Sequence, residues 1–334
     1  MTVDLLDLVE AAYDVDASEA DWLGRAVKAC GRLFGRGLGA VIYTYEFSGP
    51  EPSVRALQFA EGFDPAWLAR FLTRMGGAPD LISQAPAEWR RFMHLSAGTA
   101  RTTPNLDELT RALEEFGGAR DAFCINGRDP EGFGVFFAVP RPRTMRLDEA
   151  RRALYARVAA HFAAGYRLRR QLAGSRLSSS GAEAVLEPGG ELVHAEGVAR
   201  GNEARAVLRL ATRRIDRARS RAGRKDTDAA TRSWRGLVEG RWTLVDWFEH
   251  GGHRYVLAKR NDVRLEQPPP LSERERQVLA FAALAHSNKE IAYELGLSAA
   301  TVRVLMSRAA RKLRATGRKD AIEIFRRLAK PPSL

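Results

Sequence analysis

The chain has 334 residues, 45% of them hydrophobic and 28% charged, with a net charge of +12. This length is enough for two or three domains, each able to bury its own core. Its two cysteines, Cys30 and Cys124, have no metal-binding spacing and favour a reduced cytoplasmic setting. The N-terminus is acidic and no long apolar run is present, so we expect neither a signal peptide nor a membrane span.

The positive charge is concentrated in two segments. Residues 200–225 hold 10 Lys and Arg against 2 Asp and Glu, and residues 268–334 hold 13 against 6. The rest of the chain is nearly neutral. Two basic segments on such a background indicate a polyanionic partner.

Residues 1–172 are predicted to form an α+β domain. Apolar periodicity predicts a helix over 19–34, and strand-like patterns cover 39–47 and 53–60. A strand pair follows near 121–126 and 132–139, and a long helix over about 147–172 closes the domain. This order resembles a GAF sensor domain, and some other α+β sensory fold is the alternative.

Two features of this domain have more than one interpretation. Apolar residues near heptad spacing on the long helix pack either on its own sheet or in a dimer seam. Aromatic residues and a cysteine alternate along the strands, where they form either a plain core or, in part, the wall of a ligand cavity. They are Tyr43, Tyr45, Phe47, Phe123, Cys124, Phe136 and Phe137.

A Gly/Ser stretch over 173–181 precedes a second α+β domain, residues 182–262. A hairpin is predicted over 185–193, an Arg-rich helix over about 202–221, and a second hairpin from strands 242–248 and 254–259. This arrangement resembles a small PAS domain. The arginines of the helix lie opposite an apolar stripe, so we interpret them as a solvated face, with phosphate contact as the alternative. They are Arg205, Arg209, Arg213, Arg214, Arg217 and Arg221.

Motifs for catalysis, cofactors and metals were not found. The sequence has no nucleophile elbow, phosphate-binding loop, Cys/His nucleophile pair or phosphoacceptor acidic cluster. His250 and His253 flank a Gly-Gly turn without a third ligand nearby, so we interpret them as exposed turn residues. We therefore expect a binding protein that is not an enzyme and has no cofactor or metal.

Three prolines at 268–270 predict a stiff spacer at the start of the module over 266–330, and the helices of the module follow it. Ser272 with Glu275, and Ser287 with Glu290, have the S-x-x-E spacing of capping boxes, which predicts a helix start at each. Gly296 can adopt the left-handed conformation that ends a helix. Because Ser298 is placed to cap the next helix, the segment predicts a helix-turn-helix.

The third helix of this module has two distinct faces. Its outward face is basic and slim enough to lie in a DNA major groove. The predicted buried stripe is Val302, Leu305, Met306, Ala309 and Leu313, and the predicted outward residues are Arg303, Val304, Ser307, Arg311 and Arg314.

The segments 271–279, 287–292, 297–298 and 301–303 resemble the LuxR/GerE-type helix-turn-helix of bacterial transcription regulators, an all-α four-helix module. The resemblance covers about one fifth of the chain. It implies that the third helix enters the major groove. By the same resemblance Arg303, Val304 and Ser307 face bases, and Lys289, Thr301 and Lys312 lie near phosphates. We also expect Ser298, Arg308 and Arg311 to be DNA-binding residues.

Two residues depart from the family pattern. Leu305 stands where the family often has His, and since Leu305 fits the buried stripe we expect a change in packing rather than in base readout. Ala285 stands where the family usually has Gly at the end of the first helix, and we expect a slightly longer helix there.

These features predict a one-component transcription regulator that binds double-stranded DNA as a homodimer and responds to a small-molecule or protein signal. RNA polymerase is a further expected partner. One module contacts too few bases for useful specificity, which favours paired modules. The family's usual dimer contact is the fourth helix, here Ala321, Ile324, Phe325 and Leu328.

Two alternatives remain. Residues 271–276 and 307–314 also resemble the promoter-contacting fourth region of a sigma factor, although strands are predicted where that class has an all-helical domain. The chain could instead be a ligand-binding or protein-binding sensor whose DNA module is secondary.

Overall fold

A computed structural model of the chain describes residues 4–15, 17–35, 38–46, 53–74, 92–93, 95–115, 118–173, 182–233, 242–248, 254–261 and 271–329. Two compact units divide the chain, Met1–Gln171 and Leu172–Leu334. Several predictions concern residues outside the described ranges. These are the linkers over 174–181 and 268–270, Phe47, His250 and His253.

The first unit contains a five-stranded antiparallel sheet, whose strands in spatial order are Ser53–Phe59, Val41–Glu46, Phe133–Arg141, Asp121–Arg128 and Ala97–Thr99. The predicted strands and the closing helix are confirmed to within about two residues, and the helix predicted over 19–34 ends at Cys30 and continues as a π-helical turn, Gly31–Gly35. The strands are β1 Val41–Glu46, β2 Ser53–Phe59, β3 Ala97–Thr99, β4 Asp121–Arg128 and β5 Phe133–Arg141, and the helices are α1 Leu5–Ala12, α2 Glu19–Cys30, α3 Pro65–Arg74, α4 Asp107–Glu114 and α5 Glu149–Ala173.

The long helix α5 is buried inside this unit through its central turns. Val158, His161 and Phe162 have no exposed surface, and the Phe162 ring meets Phe137 of β5 at 4.6 Å between centroids. A Cβ placed on Gly165 would lie 2.1 Å from the Ala12 carbonyl oxygen, so only glycine permits this approach of α1. The central part of α5 is therefore core, and the dimer-seam interpretation is wrong for it.

The aromatic residues of the sheet pack as core on both faces. Tyr43, Tyr45, Cys124 and Phe136 share one hydrophobic cluster with α3 and α4. Phe123 lies on the opposite face, where its ring is 4.9 Å from Phe34. The core interpretation is thus confirmed for the described members of the set.

The second unit begins with a four-stranded antiparallel sheet, whose strands in spatial order are Leu192–Ala195, Ala184–Leu186, Arg254–Arg260 and Trp242–Phe248. Both predicted hairpins and the Arg-rich helix are confirmed. The structure adds a short helix, α7, that was not predicted. The elements are β6 Ala184–Leu186, β7 Leu192–Ala195, α6 Asn202–Arg219, α7 Thr227–Ser233, β8 Trp242–Phe248 and β9 Arg254–Arg260.

Four helices complete the second unit: α8 Glu273–Ala283, α9 Asn288–Glu294, α10 Ala299–Lys312 and α11 Arg318–Ala329. They enclose one hydrophobic cluster that includes Val278, Phe281, Ile291, Val302 and Phe325. None of the helices in the described ranges is long and apolar enough to cross a membrane.

Candidate DNA-binding site

The two helices that precede the candidate site each start at a complete capping box. At α8, the Glu275 carboxylate accepts the Ser272 N–H at 2.7 Å, and the Ser272 hydroxyl oxygen accepts the Glu275 N–H at 3.3 Å. The pair Ser287 and Glu290 repeats both distances at α9. The predicted starts are confirmed, and each box satisfies two amides that the helix leaves without partners.

The joint between α9 and α10 is a tight left-handed turn. Gly296 has a φ of +62°, and the Leu297 N–H donates back to the Ala292 carbonyl at 2.8 Å. The Ser298 hydroxyl then accepts the Thr301 N–H at 3.0 Å and starts α10. This geometry fixes the direction in which α10 leaves the turn.

One side of α10 is packed into the domain. Val302 and Ala309 have no exposed surface, Met306 is buried, and Leu305 and Leu313 pack at the edges of the same cluster. The predicted stripe is therefore confirmed. Leu305 acts in packing, as expected from its place in the stripe.

The opposite side of α10 is exposed and carries positive charge. Arg303, Ser307 and Arg311 are all exposed and lie within about 80° of one another around the helix axis. Val304 belongs to the same face and leaves 49% of its surface exposed, which is high for a valine. Arg308 is exposed at the edge of this face. The arrangement presents guanidinium groups, a hydroxyl and an apolar contact from one helix, which are the groups that read base edges.

The other predicted DNA-contacting residues have partners within the domain. Ser298 and Thr301 join their hydroxyl groups at 2.8 Å in the cap of α10, and Lys289 is exposed on α9. The Lys312 ammonium donates to Glu275 at 2.7 Å. Burial of the carboxylate would raise its pKa, but the hydrogen bonds from Lys312 and Ser272 outweigh that effect and hold the pKa of Glu275 below its usual range.

The end of α8 departs from the expected longer helix. The helix ends at Ala283, and Ala285 adopts a φ of +65° while the His286 N–H donates to the Phe281 carbonyl at 3.2 Å. Ala285 thus occupies a left-handed position that glycine adopts without steric cost. The expectation of a longer helix was wrong because the chain must turn here to start α9.

The predicted dimer contacts on α11 divide into two groups. Ala321 has no exposed surface and Phe325 only 5%, because both pack in the core of their own domain, so they cannot contact a second copy while that packing holds. This corrects their assignment. Ile324 is half-buried, and Leu328 leaves 50% of its surface exposed. Only the latter two remain as an accessible apolar surface.

Sequence patterns missed the structural arginines of α11. The Arg318 side chain donates to the His286 carbonyl at 2.9 Å and also to Asn288, and Arg326 donates to the Ala283 carbonyl. These bonds cap the end of α8 and the start of α9. Part of the basic charge in 268–334 therefore serves packing of the domain rather than its outer surface.

This geometry defines a helix-turn-helix domain with an exposed, basic face on its third helix. The family described as bacterial regulatory proteins, luxR family, matches residues 269–325, so this segment is a LuxR-family domain and the predicted resemblance is confirmed for it. The chain is also similar to the HTH-type transcriptional activator RamA of Corynebacterium glutamicum, with 43% identity over 70 residues. That alignment covers 21% of this chain and 25% of RamA, so the chain spans about a quarter of the length of this curated relative.

Two solved structures align with most of the chain at 10% identity. The crystal structure of Escherichia coli SdiA in space group P6522 covers 92% of this chain and 90% of its own, with a TM-score of 0.27. SdiA in complex with octanoyl-rac-glycerol covers 97% and 95%, with a TM-score of 0.31. At these TM-scores neither likeness defines the fold of either unit.

Proposed function

We propose that this chain is a sequence-specific, DNA-binding transcription regulator of the LuxR type. The observation that carries the proposal is the exposed face of α10, where Arg303, Ser307 and Arg311 lie together on a LuxR-family domain. The Arg303 guanidinium supplies the paired donors that fit guanine O6 and N7, and Val304 supplies an apolar contact for a thymine methyl group. Ser307 completes the base-reading set.

Phosphate contacts surround that face in the proposed complex. By resemblance to the family, Lys289, Thr301 and Lys312 are proposed to lie near phosphates, and Ser298, Arg308 and Arg311 are further proposed DNA-contacting residues. Lys312 would bind phosphate while its ammonium also contacts Glu275, since an ammonium group has three donors. Contacts of this kind position the helix, and the base contacts supply the specificity.

A homodimer is part of the proposal. Two copies place two recognition helices in successive major grooves, about one helical turn apart. The exposed Leu328 and half-buried Ile324 are the accessible apolar residues of the proposed contact on α11.

The region 1–262 is proposed to receive the signal, through a GAF-like domain at 1–172 and a PAS-like domain at 182–262. The signal is a small molecule or a protein, and RNA polymerase is a further partner of this cytoplasmic one-component regulator. The antiparallel sheet of Met1–Gln171 disfavours the sigma-factor alternative, because that class has an all-helical domain in its place.

Selection of binding sites from random duplex DNA tests the proposal against a sensor whose DNA module is secondary. With the full chain, we expect enrichment of a motif with two related half-sites. The Arg303→Ala variant should enrich it poorly. Failure of the wild-type chain to enrich any motif would contradict the proposed function, and genome-wide mapping of binding sites would identify the natural operators.

A further inference from the structure

We propose that a row of exposed arginines, three on α6 and one just after it, forms a second DNA-contacting surface, which binds the phosphate backbone of the duplex that α10 reads. We call this the arginine row, and it comprises Arg209, Arg213 and Arg217 on α6 and Arg221, two residues after the helix ends at Arg219. The inference rests on the proposed DNA-binding function and adds a sequence-independent contact outside the helix-turn-helix domain.

The arginine row lies opposite the buried side of α6. Leu208, Ala211 and Ile215 are buried against the rest of the second domain, whereas all four arginines are exposed. Four residues advance a helix by about 6 Å, so Arg209 to Arg217 present three positive groups along about 12 Å. Duplex DNA carries one negative charge for roughly each 1.7 Å of its axis, which supplies partners for a row of this length.

The charges of the row are not balanced within the described part of the chain. There, Arg209, Arg217 and Arg221 have no acidic partner, and Asp216, the one acidic residue in the middle of α6, lies 3.5 Å from Arg254 of β9. Like charges four residues apart on a helix repel each other, so the row is unfavourable in the free protein and favourable on a polyanion.

Some exposed arginines of the first unit are paired with acidic side chains. Arg25 forms an ion pair with Asp14, and Arg55 forms one with Glu46 at 2.6 Å. A row of like charges on one helix is instead stabilised when a polyanion neutralises it.

Contacts within the second unit favour DNA over an acidic protein segment as that partner. The short helix α7 packs on α6, and its Thr231 carbonyl accepts the Tyr293 hydroxyl of α9 at 3.1 Å. Tyr293 lies one turn after Lys289, which family resemblance places near phosphates, so both point from the same side of α9. The domain that carries the arginine row therefore adjoins the helix proposed to run beside the DNA backbone.

The test compares the salt dependence of DNA binding in the full chain. The variant Arg209→Gln/Arg217→Gln/Arg221→Gln removes three charges from the row. Binding to a 40-base-pair random duplex is measured at several KCl concentrations. We expect the slope of log K against log salt to become shallower by up to about 2.7 for each bound chain, since each phosphate contact contributes about 0.9.

A matched control removes the same charge elsewhere. Arg143, Arg146 and Arg152 are exposed in the first unit, and their triple Gln variant should keep the wild-type slope. A triple Lys variant of the row should also keep it, because Lys retains the charge, and this variant controls for damage to α6. Circular dichroism verifies that each variant is folded.

The outcomes separate this inference from the proposed function. The inference is overturned if the arginine-row Gln variant keeps the wild-type slope, or if its slope changes as much as that of the control. An unchanged slope is also what we expect if the partner of the row is an acidic protein. A wild-type chain that binds a selected duplex no better than a random one contradicts the proposed function instead. If both the inference and the proposed function are correct, the arginine-row Gln variant loses affinity by the same factor on the selected duplex and on the random duplex.

Discussion

The ammonium group of Lys312, in the last turn of α10, donates to the carboxylate of Glu275, in the first turn of α8, at 2.7 Å. Glu275 is 3% exposed on its side chain and Lys312 is 40% exposed. The same carboxylate closes the capping box of α8. One acidic group therefore starts the first helix of the domain and holds the end of α10.

Replacement of Lys312 by Met should destabilise the C-terminal domain by about 1 kcal/mol, because the buried carboxylate of Glu275 loses a charged hydrogen-bond donor. The loss is no larger because water already screens the partly exposed Lys312 ammonium group. Urea denaturation measures it. Lys319→Met, at an exposed position on α11, is the control and should leave the midpoint unchanged. An unchanged midpoint in Lys312→Met would show that the contact contributes nothing to the fold.

The effect of Lys312→Met should disappear in acid. Because the pKa of Glu275 is held below its usual range in the folded protein, its contribution to stability is present above the pKa of the unfolded chain and is lost as pH falls through the folded value. Denaturation curves of wild type and variant should therefore converge at low pH. A difference that persisted there would require a cause other than the charged pair.

Arg303→Ala should weaken binding to a selected DNA site by about 1 to 3 kcal/mol and weaken binding to random DNA much less, because the side chain is proposed to contact a base. Arg303→Lys keeps the charge but loses the paired donors, so it should behave more like Ala on the selected site. Competition binding measures, for each variant, the ratio of its affinity for the selected site to its affinity for random DNA. Equal losses on the two duplexes would make Arg303 a phosphate contact.

Ala285→Gly should stabilise the C-terminal domain by about 0.5 to 1 kcal/mol, since glycine adopts the left-handed backbone at this position without the Cβ clash. Ala300→Gly is the matched control, because Ala300 is an exposed residue within α10 and glycine should cost a similar amount there. Thermal unfolding should move the two melting temperatures in opposite directions. A lower melting temperature in both variants would contradict the backbone strain assigned to Ala285.

Leu328→Glu should weaken self-association and, with it, binding to a selected two-half-site duplex, because a charge would enter the proposed apolar contact. Val193, on β7, is 56% exposed, and Val193→Glu supplies a charge of the same kind away from α11. Analytical ultracentrifugation gives the dissociation constants. Equal constants in the two variants would place the dimer contact elsewhere.

The first unit should lose stability in mild acid through His161. Burial lowers the pKa of His161 to about 3, with a further contribution from Arg157, and its ring nitrogen lies 2.7 Å from the Tyr13 hydroxyl. The unfolded chain takes up this proton near pH 6.5, so stability is present above that pH and falls below it by up to about 1.4 kcal/mol per pH unit. His161→Gln should flatten the dependence, whereas His194→Gln, at an exposed site, should retain it.

Local chemistry explains why the candidate site was predictable. A capping box joins residues three apart, and the buried stripe of a helix repeats every three or four residues. The roles of Ser272, Glu275 and Val302 therefore follow from residues close to them in the sequence. The left-handed turn at Gly296 is equally local.

Contacts between distant segments were not predictable in this way. The buried ion pair of Asp129 with Arg167 joins the turn after β4 to the far end of α5, and Arg326 reaches the Ala283 carbonyl across 43 residues. Burial of Ala321 and Phe325 has the same origin, since an apolar stripe on a helix does not specify whether its own domain or a second copy covers it.

The buried course of α5 has a consequence for hydrogen exchange. Amides between Val158 and Leu168 are covered on all sides, so they should exchange with solvent only when the whole first unit unfolds, whereas those of the exposed first turn should exchange by local opening. The protection of these central amides thus reports the global unfolding free energy of Met1–Gln171. A signal molecule that binds this unit would slow their exchange in proportion to its affinity, which gives a way to screen for ligands without knowing the operator.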